Sequence, residues 1–316
     1  MMKKLPVLLN PYIKTRHPYN KLKICRRCNY FTVLGDTECP ACGKSALQGV
    51  EQRASATLTK SAWMTRLIVV LIASVGIVLS PSTLHTILIS AGGMVLLALL
   101  WTMQRRLTPA LLRRELEKLF LKEAYSLAAG LANDRETAIK VFHEGDKPLA
   151  FEMLREIGAL VHTDQLRVEQ ILLLQSFILR KDMDLMLDPL LMDHFNPDLV
   201  EYIGELAKIR RDLIKENAFR YMLLHEAHIL KMEHGESILI GVAGAAVRMK
   251  RYLLLYPYLI MRYAGRLPKD RFLRLYRMVQ ASPGAFTVPL YEEVMNVYNE
   301  KYKWDEDFQA TGKPRG

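Results

Sequence analysis

Between Arg66 and Arg105 the chain carries no Asp, Glu, Lys or Arg, and His85 is the one residue there able to take a charge. A helical crossing of a bilayer needs about 20 residues. The stretch is therefore too long for one span and just long enough for two. The first arm reads "LIVVLIASVGIVL" (67–79), with Trp63 and Met64 before it, and the second reads "TILISAGGMVLLALLW" (86–101). Ser80-Pro81-Ser82-Thr83 separates them, where proline breaks a helix into a turn. Both arms are apolar all round, which favours lipid over a soluble core that would ask for one apolar face. The expectation is a two-helix transmembrane hairpin within 63–104, with spans at 63–80 and 84–103. Gly92-Gly93 offers a point of close helix approach, and Trp63 and Trp101 sit where interfacial tryptophans are common.

Charge fixes the expected orientation. Lys60 and Arg66 precede the hairpin, Arg105, Arg106, Arg113 and Arg114 follow it, and the turn between the arms has no basic residue. Basic flanks stay inside, so a multi-pass protein with both termini in the cytoplasm is expected, in the plasma membrane of a prokaryote. "MMKKLPVLLNPYIK" has too short an apolar run before Asn10-Pro11 to be a cleavable signal. The whole chain has 44 Lys+Arg against 33 Asp+Glu, a balance of +11, yet half its residues are apolar. That mixture suits a charged soluble part joined to a lipid-embedded one.

All four cysteines lie in "KICRRCNYFTVLGDTECPACGKS", residues 23–45. A disulfide framework would spread them across the fold, so a reducing compartment is expected. Cys25-x2-Cys28 and Cys39-x2-Cys42 each offer two thiolates from one tight loop, and two such loops complete a tetrahedral shell for zinc. A redox dithiol pair is the competing reading. The intervening "NYFTVLGDTE" has room for a short hairpin, with Tyr30, Phe31, Thr32 and Val33 as strand and Gly35-Asp36 as turn. Gly43 suits the close backbone approach of a knuckle. Over residues 22–47 the sequence resembles the zinc-ribbon family, with Cys25, Cys28, Cys39 and Cys42 at its four ligand positions. The resemblance implies one structural zinc, since a closed thiolate shell leaves no open coordination position. Arg26 and Arg27 beside Tyr30 and Phe31 give a candidate basic-aromatic contact surface. The plainer alternative is that these aromatics form the module's small core.

From Thr108 onward the pattern is helical. Thr108-Pro109 and Asn196-Pro197 read as an N-cap followed by proline in the first turn, Asp146 before Pro148 looks similar, and Glu144-Gly145 closes the preceding helix. Ten helices are expected: 109–131, 135–144, 148–162, 165–180, 183–193, 197–214, 216–233, 236–256, 269–281 and 288–303. Their uneven spacing gives no strict repeat. The fold class expected is mainly α, with a small zinc ribbon, a transmembrane hairpin and a multi-helical cytoplasmic domain, either a bundle or an irregular solenoid. The organisation is an arm at 1–21, the ribbon at 22–47, a linker at 48–62, the hairpin, the helical domain at 105–304 and a flexible tail at 305–316.

Three features of the helical region bear on function. His225, His228 and His234 lie among Glu226, Glu233 and Glu236, but Ile229 stands where H-E-x-x-H would need its second histidine. Ordinary hydrogen-bonded histidines are the better reading. "GVAGAAVRMKRY" (241–252) fits neither G-x-G-x-x-G nor a P-loop, so its small residues read as close helix packing. Between 248 and 277 lie Arg248, Lys250, Arg251, Arg262, Arg266, Lys269, Arg271, Arg274 and Arg277, opposed only by Asp270 and interleaved with Tyr252, Tyr256, Tyr258, Tyr263 and Tyr276. Anionic lipid headgroups are the candidate ligand for this segment, nucleic acid is the rival, and a solvated face is the neutral reading. No nucleophile elbow, phosphate loop, open metal shell or carboxylate pair points to catalysis. The expected function is a membrane-anchored adaptor or scaffold with protein partners. A membrane-tethered nucleic-acid-binding regulator is the alternative.

Overall fold

The computed structural model describes residues 4–35, 37–80, 82–282 and 284–309. The chain divides into two compact units, Ile13–Glu144 and a second made of Met1–Tyr12 together with Gly145–Gly316.

The first unit begins with three short strands, β1 (Lys23–Cys25), β2 (Phe31–Thr32) and β3 (Leu47–Gly49), in the order β2-β1-β3 with both pairings antiparallel. The hairpin expected between the two cysteine pairs forms instead around the first pair, with Lys23 opposite Thr32 and Ile24 opposite Phe31. Strand β2 stops early because the Thr32 hydroxyl accepts from the N–H groups of Leu34 (3.1 Å) and Gly35 (3.2 Å), which turns the chain. Asp36, expected in that turn, lies outside the described residues. Leu22, Ile24 and Phe31 are buried under the sheet with Val50 and Ala54.

Helix α1 (Val50–Val78) starts directly after β3, where Val50 N–H donates to Leu22 O, so the expected linker is β3 and the first turns of a helix. Helix α2 (Thr83–Lys122) runs 40 residues and carries Pro109 in its interior. Proline there does not open a new helix, because Thr108 does not cap: its hydroxyl bonds back to Gln104 O at 2.7 Å within the same helix. At 1.5 Å per residue the two helices are about 44 and 60 Å long. Each contains an 18-residue window of mean hydropathy 2.0 with none of it buried, so both are long and apolar enough to cross a membrane. They pack antiparallel. Arg66 donates to Gln104 Oε1 (2.7 Å) at one end, and Ser80 Oγ meets Thr86 Oγ1 (3.0 Å) at the other. Between them a Cβ on Gly93 would touch Ala73, whereas one on Gly92 would face open space. Pro81, expected to break the hairpin, lies outside the described residues.

Helix α3 (Ala124–Glu144) is continuous through the break expected near 131–135; the break falls at Glu123 instead. It ends as expected at Gly145, whose φ of +102° favours glycine.

The second unit is helical: α4 (Lys147–Gly158), α5 (Asp164–Gln175), α6 (Pro197–Ile209), α7 (Glu216–Leu224), α8 (Glu226–Ile229), α9 (Gly235–Ala246), α10 (Lys250–Leu255), α11 (Pro257–Tyr263), α12 (Lys269–Gln280), α13 (Val288–Val297) and α14 (Glu306–Gln309). Asp146 and Asn196 cap α4 and α6 through Leu149 N–H and Leu199 N–H, as their proline-marked starts predict. Small residues let α9 lie close to α6: a Cβ on Gly204 would come within 2.8 Å of Ile238, and one on Gly241 within 3.4 Å of Ala207. The helix expected at 183–193 is irregular chain with one 3-10 turn at Asp188–Leu190. Met183, Leu185 and Leu187 are buried at alternate positions along it. Arg210 holds the Lys181 and Met183 carbonyls, and Tyr202 holds that of Met186. The expected long helix 236–256 ends at Ala246, and Pro257 starts α11 in a region expected to be loop. The expected tail is partly ordered, since Phe308 is buried among Phe272, Tyr298 and Tyr302. Residues 310–316 lie outside the described residues.

The largest departure is at the other end of the chain. Residues 4–12 lie across the second unit as an extended strap. Leu5 bridges in parallel to Phe177, its N–H on Ser176 O and its carbonyl taking Ile178 N–H, both at 2.9 Å. Asn10 gives its backbone N–H and Nδ2 to the Glu152 carboxylate, and Tyr12 N–H donates to Asp184 Oδ2 at 2.8 Å. Arg155, only 3% exposed, donates to Asn10 O and lies over the Tyr12 ring. Val7 and Leu9 are buried while Leu8 points out at 83% exposure.

Candidate metal centre

The four cysteines come from two copies of one local shape. In the first, Asn29 N–H returns to Cys25 O at 3.1 Å; in the second, Gly43 N–H returns to Cys39 O at 2.8 Å. Asn29 at φ 57° and Gly43 at φ 64° both take the left-handed conformation that closes the loop, which asparagine and glycine tolerate best. The loops face each other. Cys28 Sγ lies 3.6 Å from Cys39 Sγ and Cys25 Sγ 3.7 Å from Cys42 Sγ, and all four sulfurs fall within 4.8 Å of one another. None is joined in a disulfide. A tetrahedron with metal–sulfur bonds of about 2.3 Å has edges of about 3.8 Å, so two of the six sulfur pairs already stand at that length and the donor set could hold a metal ion. Among the described residues this is the one group of three or more His, Cys, Asp or Glu whose ligand atoms converge.

The thiols feel one another. Burial opposes charge on Cys25, yet N–H groups of Cys28 and Arg27 hold its thiol down at about 6. Cys28 is pushed up to about 12, by desolvation and by the neighbouring sulfurs. Such a cluster gives up its last protons when a cation takes their place.

The module is seated on α3 through a contact the sequence does not advertise. A Cβ on Gly130 would lie 2.1 Å from Phe31 O, so only glycine lets strand β2 approach the helix this closely. One turn on, buried Asp134 accepts from Thr32 Oγ1 (2.8 Å) and Val33 N–H (2.7 Å). Burial raises its carboxyl above the usual carboxylate range, and those hydrogen bonds pull against the rise. No family model, no curated protein and no solved structure matches this chain. Its chemistry is therefore read from its own residues.

The candidate basic-aromatic surface loses its aromatic half. Phe31 is fully buried, and Tyr30 is half-buried with its hydroxyl bonded to Asn133, while Arg26 and Arg27 remain exposed. In the second unit the His225 and His228 rings lie 6.3 Å apart beside Phe195, and His234 precedes α9.

The basic segment 248–277 meets acids from elsewhere in the fold. Arg251 pairs with Glu216, Arg262 with Glu226, Arg266 with Glu236, and Lys269 with both Asp305 and Asp307. Arg274 and Arg277 donate to the carbonyls of Arg248 and Asp307, Lys250 donates to Ser282, and half-buried Arg271 reaches Gly241 O. Four of the nine cations are thus paired with carboxylates at tertiary range, so the strong field suggested by nine cations against one acid is reduced in part. Tyr252, Tyr263 and Tyr276 are buried and Tyr256 is half-buried, which leaves Tyr258 as the exposed one of the five.

Proposed function

We propose that this protein is a membrane-anchored, cytoplasm-facing adaptor or scaffold. Its hairpin crosses the bilayer twice, its four thiolates hold one structural zinc ion, and its helical unit binds protein partners. One observation carries the reading: residues 4–12 and the helices after 145 make a single compact unit, although the charge-free stretch lies between them. A water-soluble unit lies on one side of a bilayer. The chain that leaves it at Tyr12 and rejoins it at Gly145 must then cross an even number of times, and two apolar helices supply two. The basic flanks favour the cytoplasm for that side.

Zinc is favoured by four soft thiolates at tetrahedral spacing in a reducing compartment. With all four positions filled by protein, the metal's part is structural. Cys25 pairs with β3, which leads into α1, and Thr32 and Val33 grip α3, which follows α2. The cysteine module thereby ties the start of the hairpin to its exit, and this fastening is the role we assign to it. Burial of Phe31 speaks against the nucleic-acid alternative, which needs exposed rings for stacking.

Reporter fusions after Lys60 and after Pro109 should both read out in the cytoplasm, and one at Ser82 outside. Opposite readings for the first two would require a single crossing and defeat the proposal. Crosslinking in native membranes should then join a protein partner to peptides of 145–309. Crosslinks confined to the spans would remove the adaptor role.

A further inference from the structure

We infer that the elbow between α10 and α11 is a lipid-contact surface for the anionic leaflet of the bilayer, an inference that rests on the membrane-anchored reading above. At about 100° per residue, Lys250, Arg251, Leu254 and Leu255 fall within an arc of about 140° on α10. All four are exposed. Tyr252 and Leu253 are buried on the remaining side. Tyr258 then follows in the first turn of α11 at 78% exposure, with Leu254 and Leu255 at 48% and 47%. Three large apolar side chains are thus left uncovered within five residues of chain.

The polar surroundings say what covers them. No Asp or Glu occurs from 237 to 269. The carboxylates brought in by the fold, Glu216, Glu226 and Glu236, take Arg251, Arg262 and Arg266. Lys250 bonds instead to the neutral Ser282 hydroxyl, which cancels none of its charge. Leucine and tyrosine beside a lysine that no carboxylate pairs is the composition of an interfacial face: apolar groups dip below the headgroups while the cation stays with the phosphates. The partner must also be present at high local concentration to be met by so small a face. The chain supplies that by joining this unit covalently to the hairpin at both residue 12 and residue 145.

The test uses the full chain reconstituted in phosphatidylcholine vesicles, with or without about one third phosphatidylglycerol. Hydroxyl-radical labelling of Leu254, Leu255 and Tyr258 and acylation of Lys250 are read by mass spectrometry. Labelling should fall about fivefold in the anionic vesicles, the factor one basic side chain supplies at such a surface. Lys250→Glu, or the triple change Leu254→Ser, Leu255→Ser, Tyr258→Ser, should abolish the difference at the remaining sites. Equal labelling in both vesicles would overturn the inference. So would protection that rises with the number of chains per vesicle, which would assign the face to a second copy. Peptides 67–79 and 86–101 serve as the internal reference: their exposure would defeat the membrane anchor itself, while their protection alongside an open elbow would defeat only this surface.

Discussion

Asp134 shows how one side chain can decide whether a small module stays in place. It is 2% exposed and satisfies two donors of the cysteine module. Asp134→Ala leaves Val33 N–H and the Thr32 hydroxyl without acceptors, a cost of about 1–3 kcal/mol for each buried donor left unmade. Asp134→Asn keeps one acceptor and should cost less. Amide exchange over 22–49 should accelerate in that order, and an unchanged rate in the alanine variant would show that Gly130 packing alone holds the module. The cysteines make a sharper case. Metal analysis of the purified protein should give about one zinc per chain, and Cys39→Ser with Cys42→Ser should reduce it to none, because two thiolates cannot close a tetrahedral shell. Zinc retained by that variant would defeat the assignment.

At the level of elements, α6 and α9 depend on the absence of a side chain. Gly204→Ala would bring a methyl within 2.8 to 3.3 Å of three Ile238 carbons at once, so the helices must separate. A loss of about 1–3 kcal/mol is expected, read as a lower midpoint of thermal unfolding. That packing is legible in the sequence as a run of small residues, as are the paired C-x2-C loops, the two apolar helices and the Asp146 and Asn196 caps. Each rests on signals within a few residues. Residues 183–187 read as helix because the alternation of Met183, Leu185 and Leu187 is short, and what takes their carbonyls out of a helix is Tyr202 from α6 and Arg210 just after it. Pro109 reads as a helix start because sequence alone cannot say which way Thr108 turns its hydroxyl. The cation run at 248–277 looks unopposed for a related reason: its acids are Glu216, Glu226, Glu236, Asp305 and Asp307, all outside the run itself.

The molecule as a whole is a helical unit with a second unit inserted near its beginning. The strap gives no local signal, since "LPVLLNPY" has neither helical period nor a long alternation, and its acidic partners lie more than 140 residues away. Val7→Asp would bury a charge against the second unit, and strap docking should fail, with proteolysis within residues 4–12 rising about tenfold or more. Leu8→Asp, on the outward side, should leave cleavage unchanged. Equal effects from both would mean the strap is not seated. The discontinuity also has a consequence in time. A ribosome adding roughly 5–20 residues per second delivers the strap first and Glu205, its last described partner, only tens of seconds later. During that interval the cysteine module and both apolar helices are made. The helical unit cannot close until the hairpin exists, so a fragment begun at residue 145 starts life with the seat of Val7 and Leu9 open to water.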